Sequence, residues 1–205
     1  SRKLADFVRN LDSSRPVTNA IPFHLPLIAR KKWDITDPAF ASLEVGGYNY
    51  ASQYYEADHK KFPERLMVAT EYFPPKALEN WDAVEKNPYV IGMFSWSAID
   101  YLGEAGLGLS RMKNKSDKNG GFQETFMAPE WPIFNAYTGE LDLIGNKKSA
   151  SYYLDVVWRR SPLEMMVHRP IPAGKRELTG FYDFPDEMKS WTWPGHENDS
   201  LQVRV

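Results

Sequence analysis

The stretch LMVATEYFPP, residues 66–75, decides how this chain is read. Apolar and small residues run straight into Glu71, two aromatics and the pair Pro74-Pro75. A short apolar run rich in β-formers reads as a buried strand, and the two prolines bar it from continuing as a central strand or as a helix interior. Glu71 therefore stands where a buried strand reaches its end.

Working outward, helical and strand patterns alternate. Leu4, Phe7, Val8 and Leu11 recur at helical spacing and stop at the turn DSSRP, after which PVTNAI (16–21) reads as a strand. LEVGGYNY (43–50) is a second strand, followed by a helical SQYYEADHKKF. RLMVATEYF is the third strand, ENWDAVEKN a short helix, and YVIGMFSWSAIDYL (89–102) a long apolar run read as a fourth strand. Strands separated by helices predict parallel pairing. Residues 103–132 read as a long polar loop, and KKSASYYLDVVWRR as an amphipathic helix. From Pro162 short alternating segments punctuated by Pro and Gly predict an all-β domain, with a boundary near residue 161.

Composition narrows the function classes. The 205 residues carry 25 basic and 27 acidic side chains, and no basic run is interleaved with aromatics, so nucleic acid is not expected as a partner. No apolar stretch approaches the ~20 residues of a membrane span, and the first ten residues lack a signal-peptide pattern. The chain has no cysteine, which excludes disulfides, thiolate metal sites and a cysteine nucleophile. His24, His59, His168 and His196 show no metal-ligand spacing, so neither a metal nor a cofactor is expected. The 14% aromatic content suits sugar rings and a large core equally.

In parallel α/β folds the C-terminal ends of the strands converge on one mouth. Tyr48, Asn49, Tyr50, Glu71, Trp96, Asp100 and Glu104 are then expected together. A carboxylate, tyrosines, an amide and an indole supply a nucleophile or acid, partners for hydroxyls, and a flat apolar wall for a pyranose. Tyr48, Tyr54 and Tyr55 suit packing in the wall better than contact with substrate.

Six fragments in order, RPVTNA, GGYNYA, LMVATEY, FSWSAIDYLGE, GELDLIGNKKSASYYLDVVW and SWTWPGHENDSLQVRV, give the chain a resemblance to glycoside hydrolase family 2, of the β-galactosidase and β-glucuronidase type. The resemblance implies the C-terminal half of a (β/α)8 TIM barrel (strands five to eight, residues 1–161), followed by the beginning of a β-sandwich domain (162–205). It places Glu71 at the seventh-strand nucleophile and Tyr50 at the tyrosine that hydrogen-bonds it. Trp96 matches the aromatic floor under the sugar, Asn49 a hydroxyl partner, and Asp100 and Glu104 the pocket rim.

The family's Asn-Glu pair, which carries the acid/base, is missing; Glu79-Asn80 and Glu197-Asn198 have the wrong order and position. The resemblance therefore implies part of a retaining exo-glycosidase, inactive alone, whose parent cleaves terminal β-linked sugars, galactosides first and glucuronides second. A non-catalytic carbohydrate-binding or scaffold chain of the same fold is the alternative. Open half-barrel edges predict self-association or pairing with the missing half. A polysaccharide-degrading parent favours a periplasmic or extracellular setting, though the sequence fixes no compartment.

Overall fold

The computed structural model describes residues 2–22, 32–118 and 131–205. His24 lies outside the described residues. The chain divides into two compact units, one built from Ser1–Tyr72 and Lys76–Ser95, the other from Phe73–Pro75 and Trp96–Val205. The change of pattern read near residue 161 falls inside the second unit.

The first unit runs α1 (Arg2–Leu11), β1 (Thr18–Pro22), α2 (Asp37–Phe40), β2 (Val45–Asn49), α3 (Tyr55–Lys61), β3 (Leu66–Tyr72), α4 (Ala77–Lys86) and β4 (Val90–Ser95). Its sheet has the order β1-β2-β3-β4, parallel throughout, at the four positions the apolar runs predict. Every residue of β2 is buried, as a strand covered on both faces requires. Its two glycines are there for close approach. A Cβ on Gly46 would lie 3.1 Å from the Phe40 ring of α2, and one on Gly47 would lie 2.4 Å from the Asn19 carbonyl oxygen and 2.7 Å from Thr70 Cγ2. Side chains from the neighbouring strand and helix thus fill the space that β2 leaves.

The high aromatic content is used in the core. Trp33, Phe40, Tyr48, Tyr55, Met67 and Val90 form one buried cluster with Ile21 and Ala51. Trp33 stacks on Tyr54 at 4.4 Å, Phe40 on Tyr48 at 4.8 Å, and Tyr55 meets the Tyr48 ring edge-on at 5.0 Å. Tyr48, expected near the strand-end mouth, is fully buried and belongs to this cluster. One carboxylate holds two of the cluster's polar atoms, those of Trp33 and Tyr48. Asp58 Oδ2 accepts from Trp33 Nε1 at 2.9 Å, Tyr48 Oη at 2.7 Å and an Arg65 guanidinium nitrogen at 3.1 Å. The Arg65 guanidinium lies over the rings of Phe40 and Phe62, at 4.5 and 4.0 Å. Burial pushes the Tyr48 phenol up, and the Asp58 hydrogen bond adds to that against the opposing Arg65, so the hydroxyl stays a donor.

Helix α1 differs. Its apolar stripe, Leu4, Phe7, Val8 and Leu11, is exposed, and Ala5 is its buried residue.

In the second unit, β5 (Tyr101–Leu102) pairs antiparallel with β7 (Asn135–Ala136), and β6 (Arg111–Asn114) with β9 (Lys175–Leu178). A three-stranded antiparallel sheet has the order β10-β8-β11, formed by Glu187–Met188, Met166–His168 and Val203–Arg204. Helix α5 spans Ser149–Val157. Two expectations are corrected. The run 89–102 is not one strand, because β4 ends at Ser95 and Tyr101–Leu102 pairs elsewhere. The expected loop 103–132 contains β6, whose polar sequence RMKN forms a strand through its ladder with β9.

A buried pair ties β8 to β9. His168 Nε2 lies 2.8 Å from Glu177 Oε2, and Nδ1 lies 2.5 Å from the Arg169 carbonyl oxygen, so both ring nitrogens face acceptors, as an imidazolium requires. Burial lowers the imidazole pKa, but the bonds to Glu177 and the Arg169 carbonyl, with the charges of Glu177 and Glu187, outweigh it and raise it above 6.5. Burial raises Glu177, but the bonds from His168, the Asp186 N–H and Ser110 bring it below 4.5. The raised base contributes stability that is full below pH 6.5 and is lost as pH rises through the folded value. The lowered acid contributes stability that is full above pH 4.5 and is lost as pH falls through the folded value. Glu187, opposite His168 on β10 and itself pushed up by burial, opposes the acid limb, so the alkaline limb is the cleaner readout. In melts from about pH 5 to 9, the advantage of wild type over His168→Gln is expected to shrink as pH rises. A difference that is flat across that range would remove the pair from the stability of this unit.

Candidate active site

Glu71 sits on an irregularity of β3 that both neighbouring strands record. Against β2 the pairing runs Tyr48↔Ala69 and then Asn49↔Glu71, so Thr70 is an extra residue. Against β4 it runs Ala69↔Met93 and then Tyr72↔Ser95, three steps against two. This is a β-bulge, which re-aims side chains and is frequent beside active sites. Strand alternation puts consecutive side chains on opposite faces. Here both residues reach one amide: Asn49 Nδ2 donates to Glu71 Oε2 at 3.2 Å, and Thr70 Oγ1 donates to Asn49 Oδ1 at 3.0 Å. Beyond the bulge the Tyr50 N–H donates to the Glu71 carbonyl oxygen at 2.9 Å.

The first unit thus joins three residues expected at a site. Asn49 is buried and holds the Glu71 carboxylate, rather than standing open for a sugar hydroxyl. Glu71 is half-buried at the strand end. Tyr50 has a left-handed backbone, φ 52°, uncommon for a residue with a side chain and characteristic of functional turns. Its main chain, through the bond above, closes the ladder on Glu71. Thr70 joins them through the amide. Its one visible signal is its place before the strand-end carboxylate.

The other three lie in the second unit. Trp96 is half-buried, begins a cis peptide bond with Ser97, and meets the Tyr101 ring edge-on at 5.9 Å. The Tyr101 hydroxyl donates to Glu104 Oε2, and burial followed by this bond pushes the phenol pKa up. Glu104 is exposed, with φ 40°. Asp100 is not the open rim carboxylate expected of it. Its side chain is 4% exposed, and Oδ1 accepts from Lys148 Nζ at 2.7 Å and the Gly139 N–H at 2.8 Å. A Cβ on Gly139 would lie 2.1 Å from the Asp100 nitrogen, so the anion and a glycine together fix this turn.

Among the described residues, no group of three or more His, Cys, Asp or Glu is arranged to hold a metal ion, and no helix is long and apolar enough to cross a membrane. The described histidines have local roles: His59 stacks on Tyr89 at 3.6 Å, and His196 Nδ1 lies 2.6 Å from Asp199.

The first unit is therefore of the parallel α/β class, with a bonded carboxylate at the C-terminal end of a central strand. Solved structures show the same fold. Two glycosyl hydrolase family 2 members from Bacteroides cellulosilyticus match 98% of this chain, one at 30% identity and TM-score 0.76, the other at 31% and 0.69. A Bacteroides uniformis β-glucuronidase matches 81% of the chain at 13% identity and TM-score 0.54, a likeness of fold. The resemblance to glycoside hydrolase family 2 carried by the sequence fragments thus holds in structure over nearly all of the chain. The chain spans about a quarter of the length of the two B. cellulosilyticus structures, 24% and 22%. No family model matches the sequence, and no curated protein matches it significantly.

Proposed function

We propose that this chain is the part of a retaining exo-glycosidase that carries the nucleophile, Glu71. The observation behind this is the carboxylate at the C-terminal bulge of β3, held by the Asn49 amide at 3.2 Å. The four parallel strands are read as strands five to eight of a (β/α)8 barrel, and residues 162–205 as the opening of a β-sandwich domain. The parallel order and the family 2 neighbours support the first assignment, and the short antiparallel strands β8 to β11 the second. The exposed apolar stripe of α1 supports burial of that face against the rest of the parent protein.

In this reading Glu71 attacks the anomeric carbon as the glycosidic bond breaks, and the leaving oxygen takes a proton from an acid outside these 205 residues, about 5 Å from Glu71. The glycosyl ester is then cleaved by water, which loses its proton to that same group, and configuration is retained. Asn49 holds one carboxylate oxygen so that the other faces the sugar. Terminal β-galactosides are the substrates we put first, because the residues gathered at the end of β3, Asn49, Tyr50, Thr70 and Glu71, include no cation. A β-glucuronide, whose own carboxylate needs a cation in the pocket, is second.

An activated 2-deoxy-2-fluoro-β-galactoside is expected to trap the ester on Glu71 in the complete protein, found by peptide mapping. A label on any other carboxylate would remove Glu71 from the role.

A further inference from the structure

We infer that Thr70 is a positioning residue for the reaction, anchoring the Asn49 amide and through it the Glu71 carboxylate. The inference rests on the proposed role of Glu71, and its own evidence is geometric. An asparagine amide has one end that donates and one that accepts, and only the donor end is useful against a carboxylate. Rotated by half a turn, Asn49 would present Oδ1 to Glu71, oxygen against oxygen. The side-chain bonds described for Asn49 are those to Thr70 and Glu71: the carboxylate, an acceptor only, decides which end of the amide faces it, and the Thr70 hydroxyl anchors the other end. It donates to Oδ1 at 3.0 Å, leaving Nδ2 to donate to Glu71 Oε2 at 3.2 Å.

Two features of the fold place this hydroxyl. The bulge sets Thr70 and Glu71 together opposite Asn49, where a regular ladder would set one residue. Gly47, two residues before Asn49 on the same face of β2, supplies the seat for the Thr70 methyl. A Cβ there would lie 2.7 Å from Thr70 Cγ2. With the methyl held over Gly47, the hydroxyl is turned along β2 toward Asn49. Thr70 is half-buried and Asn49 buried, so water competes weakly for this bond.

The test uses the complete protein. Thr70→Val removes the hydroxyl at nearly constant volume, Thr70→Ser keeps it, and Asn49→Ala removes the amide. Thr70→Val is expected to lower kcat for an aryl β-galactoside about tenfold, the scale of one buried hydrogen bond lost, with KM changed less than about twofold. Thr70→Ser restores most of the rate. In the Asn49→Ala background Thr70→Val has no further effect, because the route through the amide is already gone. A role in folding alone gives multiplying losses in the double variant and a lowered melting temperature without rescue of kcat by serine. With the fluoro-sugar label on Glu71, either a wild-type rate for Thr70→Val or independent effects of the two substitutions overturns the relay and leaves the nucleophile standing. A label elsewhere overturns both.

Discussion

Glu71→Gln is expected to reduce turnover of an aryl β-galactoside by the complete protein about a thousandfold or more, the scale seen when a nucleophile is removed. Glutamine keeps the length and planarity of the side chain, and its carbonyl oxygen still accepts from Asn49 Nδ2, so the strand end is preserved. Stability should therefore change by less than about 1 kcal/mol, since the residue is half-buried and the substitution leaves no cavity. The combination is diagnostic: activity gone, melting curve unchanged, and no covalent trapping by the fluoro-sugar. A variant that turns over at a rate near wild type would exclude Glu71 as the attacking group.

The largest stability effect lies elsewhere, at Asp58. Removing one partner of a buried, hydrogen-bonded ion pair costs about 3–5 kcal/mol, because the other charge stays behind. The Asp58 and Arg65 side chains are 7% and 11% exposed, so solvent screens neither well. Asp58→Ala also leaves the Trp33 N–H and the Tyr48 hydroxyl without the acceptor they share. For a domain of this size each kcal/mol moves the melting point by roughly 2–4 °C, so a drop of about 10 °C is expected. Adding Arg65→Met removes the abandoned cation and should recover part of the loss, whereas Arg65→Met alone is damaging because it strands Asp58. A melting point for Asp58→Ala within a degree or two of wild type would mean that the network contributes little.

Asp58 also shows where the sequence stops being informative. In YEADHKK it is one charge among several on a short polar helix, and nothing in that heptad distinguishes a buried anion from a solvated one. Its role appears only when α3 folds against Trp33, 25 residues earlier, and Arg65, seven residues later. The parallel strands were legible because each is a compact apolar run bounded by turn residues. The limit of β4 was not: Trp96 and Ile99 extend the apolar run past Ser95, where pairing with β3 ends. β6 failed in the opposite sense, since RMKN has no apolar period and owes its strand to partners more than 60 residues downstream. The carboxylate at the end of β3 could be found from the prolines behind it. Its two bonded neighbours divide: Asn49 was visible as a polar residue at a strand end, whereas Thr70 depends on a register that only paired strands define.

That register has a bearing on how Glu71 tolerates change in its own strand. Between Ala69 and Tyr72, β3 is one residue longer than either flanking strand requires. Chain length there acts like the tooth count of a gear. A substitution alters one tooth, whereas a one-residue deletion would remove the extra residue against β2, leave β3 one residue short of β4 between Met67 and Tyr72, and turn the next side chain to the other face. Hydrophobicity would be nearly untouched by such a deletion, and the strand would still read as a good strand. Sequence variation at this point should therefore be judged by counting residues between Ala69 and Tyr72 before comparing their identities.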